Sequence, residues 1–145
     1  VFATTFMMYI DPKTRVIEWA NAGHNPVLVQ GQSAGLRTLD GQGPPLGIMP
    51  GLSYITESFE VEPGTLITIY TDGLVEAHSS TGAEYGLDRA IDLVQTNAVK
   101  PPGDVTTVLI ADVRRFMEGS TSRRDDIAIL NIRVGETAPA PAPEA

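Results

Sequence analysis

Leu66-Ile67-Thr68-Ile69-Tyr70-Thr71-Asp72-Gly73 is the stretch from which the fold is read. Its first five residues are apolar, β-branched or aromatic, the composition of a strand buried on both faces. Pro63-Gly64 supplies the turn that launches it. Asp72 and Gly73 then follow where the strand should reach the sheet edge. A carboxylate held there needs a cation, a hydrogen-bond donor or a raised pKa. The glycine permits a tight turn and a close backbone approach. Taken alone, Asp-Gly at this place also reads as an ordinary β-turn.

A second acidic pair bears on that choice. Asp125-Asp126 stands directly before Ile127-Ala128-Ile129-Leu130-Asn131-Ile132-Arg133-Val134, another β-rich run with its carboxylates at the entrance. If the two strands lie antiparallel and adjacent, the end of one and the start of the other share an edge. Asp72 and Asp125 then converge, and two carboxylates brought together repel unless a cation or a shared proton intervenes.

Between these landmarks the chain reads as antiparallel strands followed by helices. Phe2 to Ile10, Arg15 to Ala20, Val27 to Gln30, Leu36 to Leu39 and Tyr54 to Val61 are expected as strands. Asp11-Pro12-Lys13-Thr14 closes the first hairpin, Asn21 to Pro26 is a polar break, and residues 41–51 form a Gly/Pro-rich loop. Leu74 to His78 is either a short strand or a turn. Leu87, Ala90, Ile91 and Val94 form the stripe of an amphipathic helix. Val105, Val108, Leu109, Val113 and Phe116 mark a second helix, after Pro101-Pro102-Gly103-Asp104. The order predicts an α+β fold, an antiparallel β-sandwich flanked by helices. It does not alternate β and α, and it holds no dinucleotide or P-loop motif.

With 145 residues, 42% hydrophobic and 19% charged, the composition is that of one globular domain. The formal charge of −8 argues against nucleic acid as a partner and suits a site for divalent cations. Without cysteine there is no disulfide, thiolate zinc site or thiol nucleophile. No run approaches the roughly 18 apolar residues that read as a membrane span, and the sequence opens without a signal-peptide pattern. It opens on Val1 and enters a strand at once, which reads as a cut from something longer. After Gly135 the Ala/Pro-rich residues 135–145 are expected to be a disordered tail, leaving 1–134 as the folded part.

Asn21-Ala22-Gly23-His24, Gly43-Pro44-Pro45-Leu46-Gly47, Tyr70-Thr71-Asp72-Gly73-Leu74-Val75-Glu76-Ala77, Tyr85-Gly86 and Asp125-Asp126-Ile127 occur in this order. Together they resemble the C-terminal part of the SpoIIE/RsbU branch of the PPM (type 2C) metal-dependent serine/threonine phosphatases, over residues 1 to 134. The resemblance implies a β-sandwich with helices and a two-metal site of manganese or magnesium. It implies a regulatory phosphoserine or phosphothreonine protein as substrate, such as an anti-sigma-factor antagonist, and a cytoplasmic setting without membrane contact. Asp72 and Asp125 match the family's catalytic metal-binding aspartates, and Asp126 the second Asp of the Asp-Asp motif. Gly73 lets the backbone pass close to the metals. The family's upstream Asp-x-x-Gly-His-Gly-type motif, whose aspartate bridges both metals, has no counterpart here. The chain is therefore expected to hold only part of the ligand set and to be incomplete as an enzyme by itself.

Hard divalent cations prefer carboxylates and water, so the residue types agree with the resemblance independently. His24 is either a substrate-loop or acid residue near the metals, or a loop histidine that shapes its own turn. Glu76 either orients the loop after Asp72 or is a solvated carboxylate. Arg123 and Arg124 either meet substrate phosphate or pair with surface acids. The rival to an enzyme is a non-catalytic partner-binding module with a degenerate phosphatase fold. An exposed sheet edge would favour dimers in either case.

Overall fold

The computed structural model describes residues 1–41, 43–122 and 125–135. Arg123, Arg124 and the tail beyond Gly135 lie outside the described residues. Two antiparallel sheets stack face to face. The first has the order β1-β2-β5, from Thr5–Ile10, Val16–Ala22 and Glu57–Glu60. The second has the order β4-β3-β6-β7, from Leu36–Leu39, Val27–Gln30, Leu66–Tyr70 and Ile129–Arg133. Helices α2 (Leu87–Asn97) and α3 (Pro102–Phe116) cover the outer face of the second sheet, and α1 (Asp72–Val75) is a single turn after β6.

The alternation of β6 explains the layering. Leu66 and Tyr70 belong to the cluster that meets Ala90, Val94, Val105, Leu109 and Val113 of the helices. Ile67 faces the other way, into the cluster with Ile17, Trp19, Val27 and Val29 between the sheets. Both faces of the strand are thus buried, as its continuous apolar run requires. Trp19 is a core residue, as its place on a strand predicts. On β1, Phe6, Met8 and Ile10 turn inward while Met7 and Tyr9 stay exposed, the period of two expected of a strand covered on one face.

Two sets of polar contacts link elements of this sandwich. Thr68, fully buried, donates its hydroxyl to Asn131 Oδ1 (2.6 Å), and Asn131 Nδ2 donates to Thr106 Oγ1 (2.8 Å), linking β6, β7 and α3. Arg133 donates to the carbonyls of Gly64, Ala98 and Lys100, closing the corner after α2. Such buried donors and acceptors would be costly if left alone.

Several elements differ from the sequence reading. The first strand begins at Thr5, not Phe2. Ala3 instead exchanges two main-chain bonds with Leu46 of the Gly/Pro-rich loop, 2.9 and 2.8 Å. The strand expected from Tyr54 to Val61 is confined to Glu57–Glu60, the residues that pair with Val16–Trp19 of β2. Of the two readings of the stretch after Asp72, strand or turn, the structure has the turn, a helical one: Leu74 N–H bonds Thr71 O and Glu76 N–H bonds Asp72 O, with Leu74 fully buried. Burial of that leucine beneath the turn outweighs the β character of Leu-Val. No helix among the described residues is long and apolar enough to cross a membrane.

Candidate metal centre

Strands β6 and β7 are antiparallel neighbours, with Tyr70 opposite Ile129 and Leu66 opposite Arg133. The residues just after β6 and just before β7 therefore lie at one edge of the sheet, as the positions of Asp72 and Asp125 require. Thr71 extends the pairing by one more step. Its N–H donates to Ala128 O (3.0 Å), its hydroxyl donates to Asp126 O (3.0 Å), and the same hydroxyl accepts from Ala128 N–H (3.0 Å). A threonine hydroxyl committed across the sheet cannot cap the helix it precedes, and α1 has no side-chain cap.

Gly73 fits against this seam. A Cβ built there would stand 2.6 Å from Asp126 O and 3.2 Å from Asp125 O. Only a residue without a side chain lets the Asp72 turn and the Asp125-Asp126 segment approach so closely. Gly73 N–H donates to Asp72 Oδ1 at 2.9 Å, fixing one carboxylate oxygen against its own turn.

The carboxylates open into two adjoining hollows. Asp72 lines a cavity of about 240 Å³ with Thr4, Gly23, His24, Asn25, Thr71 and Glu76. Asp125 lines a crevice of about 20 Å³ with Gly73, Glu76, Ala77 and His78. Glu76 stands between them and borders both. Asp72, Glu76, Asp125 and Asp126 are all solvent-exposed, so several negative groups surround a wet, open site. Carboxylates and main-chain carbonyls of this kind are ligands for hard cations. They fit manganese or magnesium by chemistry but not by number. Among the described residues, no three Asp, Glu, His or Cys side chains are gathered closely enough to hold a metal ion.

His24 is set by its loop. Asn21, fully buried at the end of β2, accepts from His24 N–H (2.8 Å) and donates Nδ2 to the carbonyls of His24 (3.1 Å) and Leu39 (3.2 Å). The ring nitrogen Nδ1 bonds Asn25 O at 2.8 Å, so Nδ1 carries the proton and Nε2 is the other, chemically distinct edge. Gly23 turns at φ +73°, where a side chain would be strained. The loop-shaping role thus belongs chiefly to Asn21, and His24 borders the cavity that contains Asp72. His78, by contrast, sits 3.9 Å from Glu84 across a small bridge.

Thr71 and Asn21 were not among the residues singled out by chemistry in the sequence, whereas Glu76 was, with two readings. Thr71 lies inside the Tyr-Thr-Asp-Gly motif, but its partner is set by a strand pairing that spans more than fifty residues. Glu76 reads as a solvated carboxylate until the turn at Asp72 places it one helical step away.

Known proteins resemble this chain over nearly its whole length. The family model described as Stage II sporulation protein E (SpoIIE) matches residues 1–135. Protein IcfG of Synechocystis sp. (strain ATCC 27184 / PCC 6803 / Kazusa) is 27% identical over 132 residues, 91% of this chain and 20% of that protein. Phosphoserine phosphatase RsbP of Bacillus subtilis (strain 168) is 24% identical over 129 residues, 89% of this chain and 30% of that protein. The solved SiaA-PP2C domain of Pseudomonas aeruginosa superposes with a TM-score of 0.77 at 21% identity, covering 90% of this chain and 51% of that one. The manganese-presoaked phosphatase domain of SpoIIE from Bacillus subtilis gives 0.63 at 17% identity, covering 94% and 58%. The chain thus spans less than a third of the curated relatives it matches, and between half and three fifths of these two solved chains.

Proposed function

This chain belongs to the SpoIIE family of PP2C-like phosphatase domains, and from that premise we propose that it supplies part of the metal site of a protein serine/threonine phosphatase. Its substrate is a regulatory phosphoprotein, of the class to which anti-sigma-factor antagonists belong. The similarity to RsbP, a phosphoserine phosphatase, supports the substrate class. The observation that carries the reading is the seam between β6 and β7. It sets two separate acidic segments against each other, with Gly73 pressed on the Asp125-Asp126 backbone.

Asp72 and Asp125 are the side chains that would hold divalent cations, manganese or magnesium, with Asp126 beside them. When bound, such ions lower the pKa of water and offset charge on phosphoryl oxygens. The protein's own contribution is placement. Thr71 ties the two segments, and Gly73 N–H orients the Asp72 carboxylate. The cavity shared by Asp72, His24 and Glu76 offers room for a phosphoryl group beside the ligands. Because the chain spans only 51% and 58% of the two solved phosphatase domains it resembles, the activity is assigned to the complete domain, which would supply further ligands.

The test is Asp72→Asn and Asp125→Asn in the complete domain, assayed on a phosphoserine peptide with manganese. Each loses well over tenfold in turnover, more than about 1.4 kcal/mol in barrier. Activity within tenfold of the unsubstituted domain removes these residues from the ligand set. A complete domain with no metal-dependent turnover leaves the partner-binding module instead.

A further inference from the structure

The motif Tyr85-Gly86 has no place in the metal chemistry, yet it is wired to the turn that bears Asp72. Tyr85 N–H donates to Ala77 O at 2.8 Å, and Gly86 N–H to Val75 O at 2.9 Å. These two bonds receive the carbonyls at the end of the turn, where α1 itself leaves them unpaired. The tyrosine ring is buried in the core cluster that also holds Leu74 and Ala77.

The other end of Tyr85 is clamped by the helices. Its hydroxyl donates to Asp112 Oδ2 of α3 at 2.8 Å. Arg89 of α2 grips the same carboxylate with two donors, Nε to Oδ2 at 2.8 Å and Nη2 to Oδ1 at 3.3 Å. The guanidinium also stacks near the rings of Tyr85 and Phe116, 5.1 and 4.9 Å from their centroids. Phe116 meets Tyr85 edge-on at 5.3 Å. A bidentate, ring-covered arginine fixes direction as well as distance. Asp112 is accordingly held below the usual carboxylate range, by the Arg89 donors first.

We propose that Tyr85, Asp112 and Arg89 are positioning residues for the metal site. They fix the α2–α3 pair to the Asp72 turn through the main chain of Tyr85 and Gly86, so the carboxylate geometry at Asp72 and Glu76 depends on how the two helices sit. This rests on the phosphatase reading only for its consequence in catalysis. The mechanical link is a property of the chain itself.

Tyr85→Phe tests the link, because it keeps the ring and removes only the hydroxyl. Asp112→Asn is the second variant, in case either fold is weakened. In the 145-residue chain, amide hydrogen exchange at Glu76, Tyr85 and Gly86 rises about tenfold in both variants, while amides of Ile67 and Ile69 in β6 stay within about twofold. A rise shared equally by β6, or none at the three amides, overturns the proposal. In the complete domain, Tyr85→Phe raises the manganese concentration for half-maximal turnover about threefold, since site rigidity tunes cation affinity. Turnover at saturating manganese changes less than about twofold. An unchanged half-saturation with lower saturated turnover also overturns it. If the unsubstituted domain shows no metal-dependent turnover, the phosphatase reading fails, and the exchange measurement alone decides the link.

Discussion

The hydroxyl of Thr71 donates to the carbonyl of Asp126 and accepts from the amide of Ala128, each at 3.0 Å. One side chain thus stitches the residue before Asp72 to the segment holding Asp125 and Asp126. Thr71→Val keeps the shape and removes both bonds. Each is worth about 0.5–1.5 kcal/mol net, so the variant loses on the order of 1–3 kcal/mol. Thr71→Ser keeps the hydroxyl and retains most of that. Denaturant melts of the two variants side by side check this, and equal stabilities for Val and Ser would mean the hydroxyl bonds contribute nothing.

Gly73→Ala strikes the same seam from the other side. The added methyl would meet Asp126 O at 2.6 Å, a main-chain atom that cannot swing away. Overpacking of this kind costs roughly 1–3 kcal/mol. For a chain of this size that is a fall in Tm of about 3–10 °C. In the complete domain the displaced Asp125-Asp126 segment also weakens metal activation. A melting temperature equal to that of the unsubstituted chain, with full activity, would show that the close approach is dispensable.

Much of this seam was legible in the sequence, for a definite reason. A continuous run such as Leu66 to Tyr70 must be buried on both faces, and a second such run with acids at its entrance pairs best antiparallel beside it. The helix stripe at Ala90 and Val94 was equally clear, since both are buried where period 3.6 places them. What single-residue patterns do not carry is long-range choice. Thr71 resembles any threonine until Ala128 is its neighbour, and Asn21 resembles any turn asparagine until Leu39 O is found within reach of its amide. After Asp72 local propensity left a strand or a turn open, and tertiary burial of Leu74 selects the turn, a helical one.

Acid sensitivity follows from two carboxylates outside the metal seam. Glu62 accepts from the Ser33 hydroxyl and from the Ser33 and Ala34 amides. Those bonds, the Ser33 hydroxyl first, lower its pKa from 4.5 to about 2. Asp112 is lowered as well, by Arg89 foremost. A depressed folded pKa gives stability that is present above the unfolded value and lost as pH falls through the folded one. Stability therefore declines from about pH 4.5 downward, with the Glu62 share disappearing toward about pH 2. Glu62→Gln and Asp112→Asn each flatten part of that decline when chemical melts are repeated across pH. A slope unaltered in both would assign the acid sensitivity to other carboxylates.

Manganese added to the 145-residue chain alone tests the ligand count directly. Gly73, next to Asp72, packs against the main chain of Asp125 and Asp126, but among the described residues no three acidic, histidine or cysteine side chains gather in one cluster. Hard cations with few protein ligands keep most of their water and bind weakly, because affinity follows the number of charged ligands. A two-metal mechanism needs both ions held a few ångströms apart, about 3.5–4 Å. Titration followed by manganese paramagnetic resonance should then show at most one weak site, with a dissociation constant on the order of 10⁻⁴ M or higher. Asp72→Asn removes it, and phosphopeptide hydrolysis stays at background. Two tight sites, or metal-dependent turnover that vanishes with Asp72→Asn, would mean that the ligand set is already complete within these 145 residues.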